Sequence, residues 1–218
     1  MLRKAVLIGA SGLIGSHLLQ LLLNSDKYSE VLIFSRSFLS ISHSKLIQQI
    51  IDFDNINKYK LLITGEVIFS CLGSTRNKTP DNKEYLKIDK DYPLEFARHG
   101  LENGVKQFHI ITSLNADPES SSSYLRLKGE LENELRKLPY HSLNIYQPSY
   151  LEGFRKESRI EDRLMQPLMR LLNPFLSGPL KKYKSIKASQ VAQAMFNQSI
   201  KDLSGTFIYT SNKIKELV

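Results

Sequence analysis

Ala5-Val6-Leu7-Ile8-Gly9-Ala10-Ser11-Gly12-Leu13-Ile14-Gly15 puts an apolar run directly before a glycine-rich turn, and an amphipathic stretch to Leu23 follows at once. A short run that is apolar on both faces suits a strand inside a parallel sheet. Each glycine then has a physical role. Gly9 permits the tight turn, Gly12 lets backbone approach a diphosphate without a Cβ in the way, and Gly15 lets the helix pack on the strand. The N–H groups and positive end of the helix complete an anion site. Glycines favour any strand-to-helix turn, but strand before and helix after supply the context of a dinucleotide site. The candidate contacts are Gly9, Ser11, Gly12, Leu13, Ile14 and Gly15.

Similar apolar runs recur at Val31 to Phe34, Leu46 to Ile51, Val67 to Phe69, Phe108 to Ile111 and Leu143 to Tyr146. Helical stretches lie between them, with Leu13 to Leu23 and Asp89 to Asn103 long enough for crossovers, the second closed by Asn103-Gly104. The pattern predicts an α/β fold, a doubly wound parallel sheet of the Rossmann type. One domain of 218 residues is expected, with 151–187 as a small substrate-side lobe, Ala188 to Ile200 as a further helix and Thr206 to Tyr209 as a closing strand. The serine run 120–123 reads as a loop whose last serine caps the next helix.

The chain carries 30 basic against 22 acidic residues, a net charge of +8. The excess is concentrated: residues 1–150 hold 18 basic and 16 acidic, residues 151–218 hold 12 and 6. An acidic or phosphorylated substrate entering over the lobe accounts for that charge. A nucleic-acid role for Arg155, Arg159, Arg163, Lys181, Lys182, Lys184 and Lys187 is disfavoured, because only Phe154, Phe175 and Tyr183 interleave with them. The single cysteine, Cys71, excludes an internal disulfide, and no histidine pair has ligand spacing, so no metal site is expected. No run approaches the length needed to cross a bilayer, and a cytoplasmic protein is expected.

Dinucleotide selection is written where the second strand ends. An acidic residue there would bind the ribose of NAD; this chain has Ser35-Arg36, and a guanidinium suits the 2′-phosphate of NADP. NADP is therefore the expected cofactor, ahead of NAD. Asp52 and Phe53 follow the third strand where adenine would be lined, Cys71-Leu72-Gly73 follow the fourth, and Cys71 reads as apolar filler rather than nucleophile.

Carbonyl reduction needs a proton donor beside the hydride acceptor, and a tyrosine four residues before a lysine on one helix supplies one whose phenolate the ammonium favours. Chance gives about one such pair in this chain, and three occur: Tyr124/Lys128, Tyr183/Lys187 and Tyr209/Lys213. Only the first lies in a helical stretch, with Leu131, Leu135 and Leu138 forming an apolar stripe that takes in Tyr124 and has Lys128 at its edge. A lysine bordering such a stripe needs a partner, and Gly129 implies close approach by a ligand or a neighbouring element. Thr112-Ser113 ends the fifth strand at the carboxyl edge, where Ser113 could bind the developing alkoxide. Ser113, Tyr124 and Lys128 are the candidate catalytic residues; as structural residues, the serine and tyrosine would be a helix cap and a core side chain.

These pieces resemble the atypical branch of the short-chain dehydrogenase/reductase superfamily and, more narrowly, the Tat-interacting-protein oxidoreductases. The matching stretches are Gly9 to Gly15, Ser35-Arg36, Cys71 to Arg76, Asp89 to Tyr92, Thr112-Ser113, Tyr124 to Glu130 and Arg155 to Arg159. The resemblance implies a Rossmann fold, NADP(H) binding, the roles given to Ser113, Tyr124 and Lys128, and a loop from Pro148 to Gly153 that borders the nicotinamide. Asn115 stands where a glycine is usual, and Gln147 where an arginine commonly precedes Pro148. Animal members also bind other proteins, so two readings stay open: an NADP-dependent oxidoreductase acting on an unidentified carbonyl or alcohol, or a non-catalytic NADP(H)-binding regulatory module.

Overall fold

Every apolar run quoted above is a strand, and all of them lie in one parallel sheet. The computed structural model describes residues 2–74, 79–153, 173 and 176–218. In chain order the strands are β1 (Arg3–Ile8), β2 (Tyr28–Ser35), β3 (Leu46–Ile50), β4 (Val67–Ser70), β5 (Gln107–Ile111), β6 (Ser142–Gln147), β7 (Leu151–Glu152), β8 (Ile186–Lys187) and β9 (Gly205–Thr210). Seven of them form a sheet of order β3-β2-β1-β4-β5-β6-β9, and β7 pairs with β8 apart from it. The chain runs outward from β1 to one edge, returns, and runs outward to the other edge, as a doubly wound sheet requires.

Helices cover both faces because alternate strand residues point oppositely. Ala5 and Leu7 of β1 join Val31, Val67 and Phe69 against α1 (Leu13–Asn24) and two later helices, numbered α5 (Ala188–Ser199) and α6 (Ser211–Glu216) below. Val6 and Ile8 point the other way, into a core with Ile56, Phe96, Leu131 and Leu135. Those residues come from a 3-10 segment (Phe53–Leu62), α3 (Tyr92–Glu102) and α4 (Ser123–Arg136), α2 being the short helix Asn82–Leu86. Burying each such large side chain contributes about 1.5–3 kcal/mol, which fixes both helical layers on the sheet.

Some boundaries differ from the sequence reading. Helix α4 is capped by Ser122 rather than Ser123, its side chain accepting from the Leu125 N–H. The helix expected from Asp89 begins properly at Tyr92, after α2 and a wide π turn, Lys87–Asp91. Pro93 has no N–H to give the Asp89 carbonyl four residues back, so regular α geometry cannot run through this point. Tyr209 is the penultimate residue of β9, with α6 following that strand at once, and Tyr183 closes a 3-10 segment, Gly178–Tyr183, so neither tyrosine shares an α-helix with the lysine four residues on. Asn103-Gly104 does stop α3, with Gly104 at φ +82°. The basic stretch 154–172, with Arg155, Arg159, Arg163 and Pro167, lies outside the described residues, as do Thr75, Arg76, Pro174 and Phe175.

Candidate functional site

The strand register brings the expected site residues to one edge. Phe34, Ile8, Ser70, Ile110 and Ile145 form a row of paired neighbours across β2, β1, β4, β5 and β6. Gly9 and Cys71 lie one residue beyond that row, Arg36 two, and Ser113 and Pro148 three. This is the carboxyl edge, with the order of strands reversing between β1 and β4, where open α/β sheets bind ligands.

The turn after β1 admits only glycine at its ends. Gly9 has φ +80°, and a Cβ there would sit 2.5 Å from the Cys71 carbonyl. At Gly15 a Cβ would fall 2.1 Å from the Gly9 oxygen, so α1 rests its backbone on the turn. Gly12 caps α1 with no side-chain hydrogen bond, its N–H donating to the Gly9 carbonyl at 3.0 Å. No acidic side chain occupies the first turn of α1, which leaves its positive end free for an anion. Ser11 is exposed and Ile14 is buried in the core, while a Cβ on Gly153 would meet Leu13 at 2.6 Å. Leu13 therefore packs against the loop that follows β6.

Around this turn, Arg36 is exposed, and among the described residues it has no ion pair. Asp52 caps the 3-10 segment, accepting from the Asp54 N–H at 3.0 Å and Asn55 Nδ2 at 2.6 Å. The Phe53 ring is buried 5.3 Å from that of Tyr92. Asp52 and Phe53 thus have structural duties beside the expected one. Cys71 is half-buried and donates its N–H to the Ile8 carbonyl, and burial pushes its thiol pKa up. Leu72 is half-buried and Gly73 exposed.

Tyr124 and Lys128 lie one turn apart on α4 but in different surroundings. Tyr124 is 38 % exposed, so it is not part of the apolar stripe as expected: it sits in the first turn of α4, whose end opens to solvent. Lys128 is 3 % exposed, and its Nζ lies 2.7 Å from Oδ1 of Asp89, itself 1 % exposed. Nζ also donates to the Asp89 carbonyl at 3.4 Å, while Oδ2 accepts from the Ser74 N–H at 2.7 Å. Asp89 therefore ties the loop after β4 to the lysine of α4, and it is the partner that a lysine at the edge of the stripe required. Ser113 is half-buried, and among the described residues its Oγ makes only a 3.4 Å bond to the Leu114 carbonyl. Gly129 admits the backbone of Asp117-Pro118, which a Cβ would approach to 2.3 Å, so its neighbour is a protein element rather than a ligand. Asn115 adopts φ +62°, the left-handed geometry for which asparagine is the best replacement of glycine.

Two residues of the site escape sequence reading. Asp89 reads there as the start of a helix and as part of a stretch that carries the resemblance, with no role of its own. Glu132, buried on α4, accepts from Thr112 and Gln147; its signal is an acid amid a leucine stripe, at i+4 from Lys128.

Sheet order, glycine turn and the Tyr124-Lys128 helix together are those of an atypical short-chain dehydrogenase/reductase. The chain is 31 % identical to rat HTATIP2 over 216 residues, 97 % of this chain and 87 % of that protein, and it belongs to the HTATIP2 family. It is also 28 % identical to mitochondrial fmp52 of Aspergillus niger, over 97 % of this chain and 93 % of the relative. No protein-family model matches. Among solved structures, MoeE5 in complex with UDP-glucose and NAD superposes with a TM-score of 0.70 at 16 % identity, over 97 % of this chain and 79 % of that one. The Bordetella bronchiseptica enzyme WbmH in complex with NAD+ gives 0.72 at 17 %, over 99 % and 79 %; at these identities the likeness is one of fold.

The cytoplasmic expectation is corrected by the fungal relatives, which are named mitochondrial. It rested on the lack of a spanning helix. Among the described residues no helix is long and apolar enough to cross a membrane, but that property does not distinguish compartments.

Proposed function

We propose that the protein is an NADP(H)-dependent oxidoreductase that interconverts a carbonyl and an alcohol, and that its substrate is acidic or phosphorylated. The observation that carries this reading is the exposed phenol of Tyr124, one turn from Lys128 at the ligand-binding edge of the sheet. What supports the cofactor is the turn that opens α1, where Gly12 stands at the N-cap and no acidic side chain occupies the first turn. The N–H groups opening α1 would hold the diphosphate, Arg36 the 2′-phosphate, Asp52, Phe53 and the Cys71–Gly73 loop the adenosine half, and Pro148 the nicotinamide side. Solved neighbours carry NAD; the exposed guanidinium just past β2 supports NADP here. The fungal relatives' names support a mitochondrial setting.

When bound, the nicotinamide supplies or accepts a hydride. The chain's own residues manage the oxygen: Ser113 donates a hydrogen bond to it, Tyr124 gives it a proton, and the Lys128 charge favours the phenolate left behind. Lys181, Lys182, Lys184 and Lys187, in or next to the second 3-10 segment, support an anionic substrate.

Turnover of a panel of aldehydes and ketones with NADPH tests the reading, with Tyr124→Phe as the control. At least one substrate should turn over, the variant should lose about 100-fold or more in kcat, and its NADPH affinity should stay within about twofold. The regulatory-module reading has one observation in its favour, the commitment of the Lys128 ammonium to Asp89. Tight NADPH binding without turnover on any substrate would decide for it.

A further inference from the structure

Glu132 joins three pieces of the site through one carboxylate. It lies one turn beyond Lys128 on α4 and is 1 % exposed. Oε1 accepts from Thr112 Oγ1 at 2.6 Å and from Gln147 Nε2 at 2.9 Å; Oε2 accepts from Gln147 Nε2 at 3.0 Å and from Arg136 Nη2 at 2.7 Å. Thr112 immediately precedes Ser113, and Gln147 immediately precedes Pro148. The two strand ends are also bonded to each other, the Thr112 N–H donating to the Tyr146 carbonyl at 2.8 Å and the Leu114 N–H to that of Pro148 at 3.0 Å.

A buried carboxylate survives only when its charge and lone pairs are met. Here the partners that meet them are the residues next to Ser113 and Pro148. Because Gln147 is neutral, the countercharge comes from Arg136, whose 35 % exposed side chain reaches in from the next turn of the same helix. Shape and charge are therefore divided between two residues, whereas an arginine at 147 would supply both.

We infer that Glu132 is a positioning residue, which holds the Ser113 loop and the Pro148–Gly153 loop at a fixed distance from the helix that bears Tyr124 and Lys128. The inference rests on the oxidoreductase reading for its purpose, not for its geometry. A group that only stabilised the fold would act on the whole sheet; this one acts on two loops that are far apart in sequence.

Hydrogen exchange read by mass spectrometry, together with calorimetric titration by NADPH, tests it. Glu132→Gln should speed exchange about tenfold in peptides covering 113–116 and 148–153 together, leave α1 at its wild-type rate, and weaken NADPH binding about threefold or more. Thr112→Val should release only the first loop and Gln147→Leu only the second, whereas Gln147→Arg should keep both protected. Even acceleration across the sheet, wild-type rates in both loops, or unchanged NADPH affinity with both loops released would each overturn the assignment. Should Glu132→Gln not fold, the two single-loop variants decide, and failure of each to release its own loop overturns it. If the wild type binds neither NADPH nor NADH, the oxidoreductase reading fails while the exchange measurements still judge the staple.

Discussion

The Lys128 ammonium and the Asp89 carboxylate lie 2.7 Å apart with side chains 4 % and 1 % exposed, so the lysine one turn from Tyr124 is buried with a charge partner of its own. Removing one member of such a pair strands the other in a medium that cannot solvate it. Asp89→Asn is expected to cost about 3–5 kcal/mol by urea denaturation. The double variant Asp89→Leu, Lys128→Met should recover most of that loss and have no turnover. A double variant as unstable as Asp89→Asn would show that the site depends on something other than charge pairing.

Glycine substitutions separate strain from collision. Gly104, at φ +82° with open space around it, should lose only about 1 kcal/mol as alanine. Gly15→Ala drives a Cβ to 2.1 Å from the Gly9 oxygen, and Gly9→Ala adds positive φ to a 2.5 Å clash with Cys71. Both should cost about 2 kcal/mol or more and abolish dinucleotide binding at millimolar concentration. Denaturation midpoints and calorimetry on the three variants check the order.

His109 makes stability depend on pH. It is fully buried, with Nδ1 3.1 Å from the Tyr146 hydroxyl and Nε2 3.3 Å from Gln107 Oε1. Burial, with a smaller contribution from the Arg3 charge, lowers its pKa from 6.5 to about 3. Between those values the unfolded chain binds a proton that the native protein refuses, so the stabilisation is complete above about pH 6.5 and is lost as pH falls toward 3. Urea midpoints from pH 7 to 4 should drop by the equivalent of about 1 kcal/mol per pH unit, and His109→Gln should flatten that slope.

Much of the fold is legible in the sequence because the strands are buried on both faces and read as unbroken apolar runs, with the glycine turn fixing where β1 ends. Ser113, Arg36 and Pro148 can be placed by counting from strand ends, since register alone carries them to one edge. Asp89 and Glu132 cannot, because a buried acid resembles a surface acid until its partners fold onto it, Lys128 of α4 and the loop after β4 for Asp89, the ends of β5 and β6 for Glu132. Tyr124 misleads for a related reason: helical spacing puts it on the leucine stripe, but the helix starts at Ser123 and its first turn projects beyond the core. Asn115 looks like a departure from a glycine, and its φ of +62° shows the backbone demand that both residues meet.

In the proposed function the glycine turn holds a nicotinamide dinucleotide and Arg36 reads its 2′-phosphate. Parallel calorimetric titration with NADPH and NADH, on the wild type and on Arg36→Asp, tests it most directly. NADPH should bind the wild type at least about tenfold more tightly, and the variant should lose that preference through weakened NADPH binding alone. Equal affinities for the two dinucleotides, or NADPH binding unchanged in Arg36→Asp, would contradict the assignment.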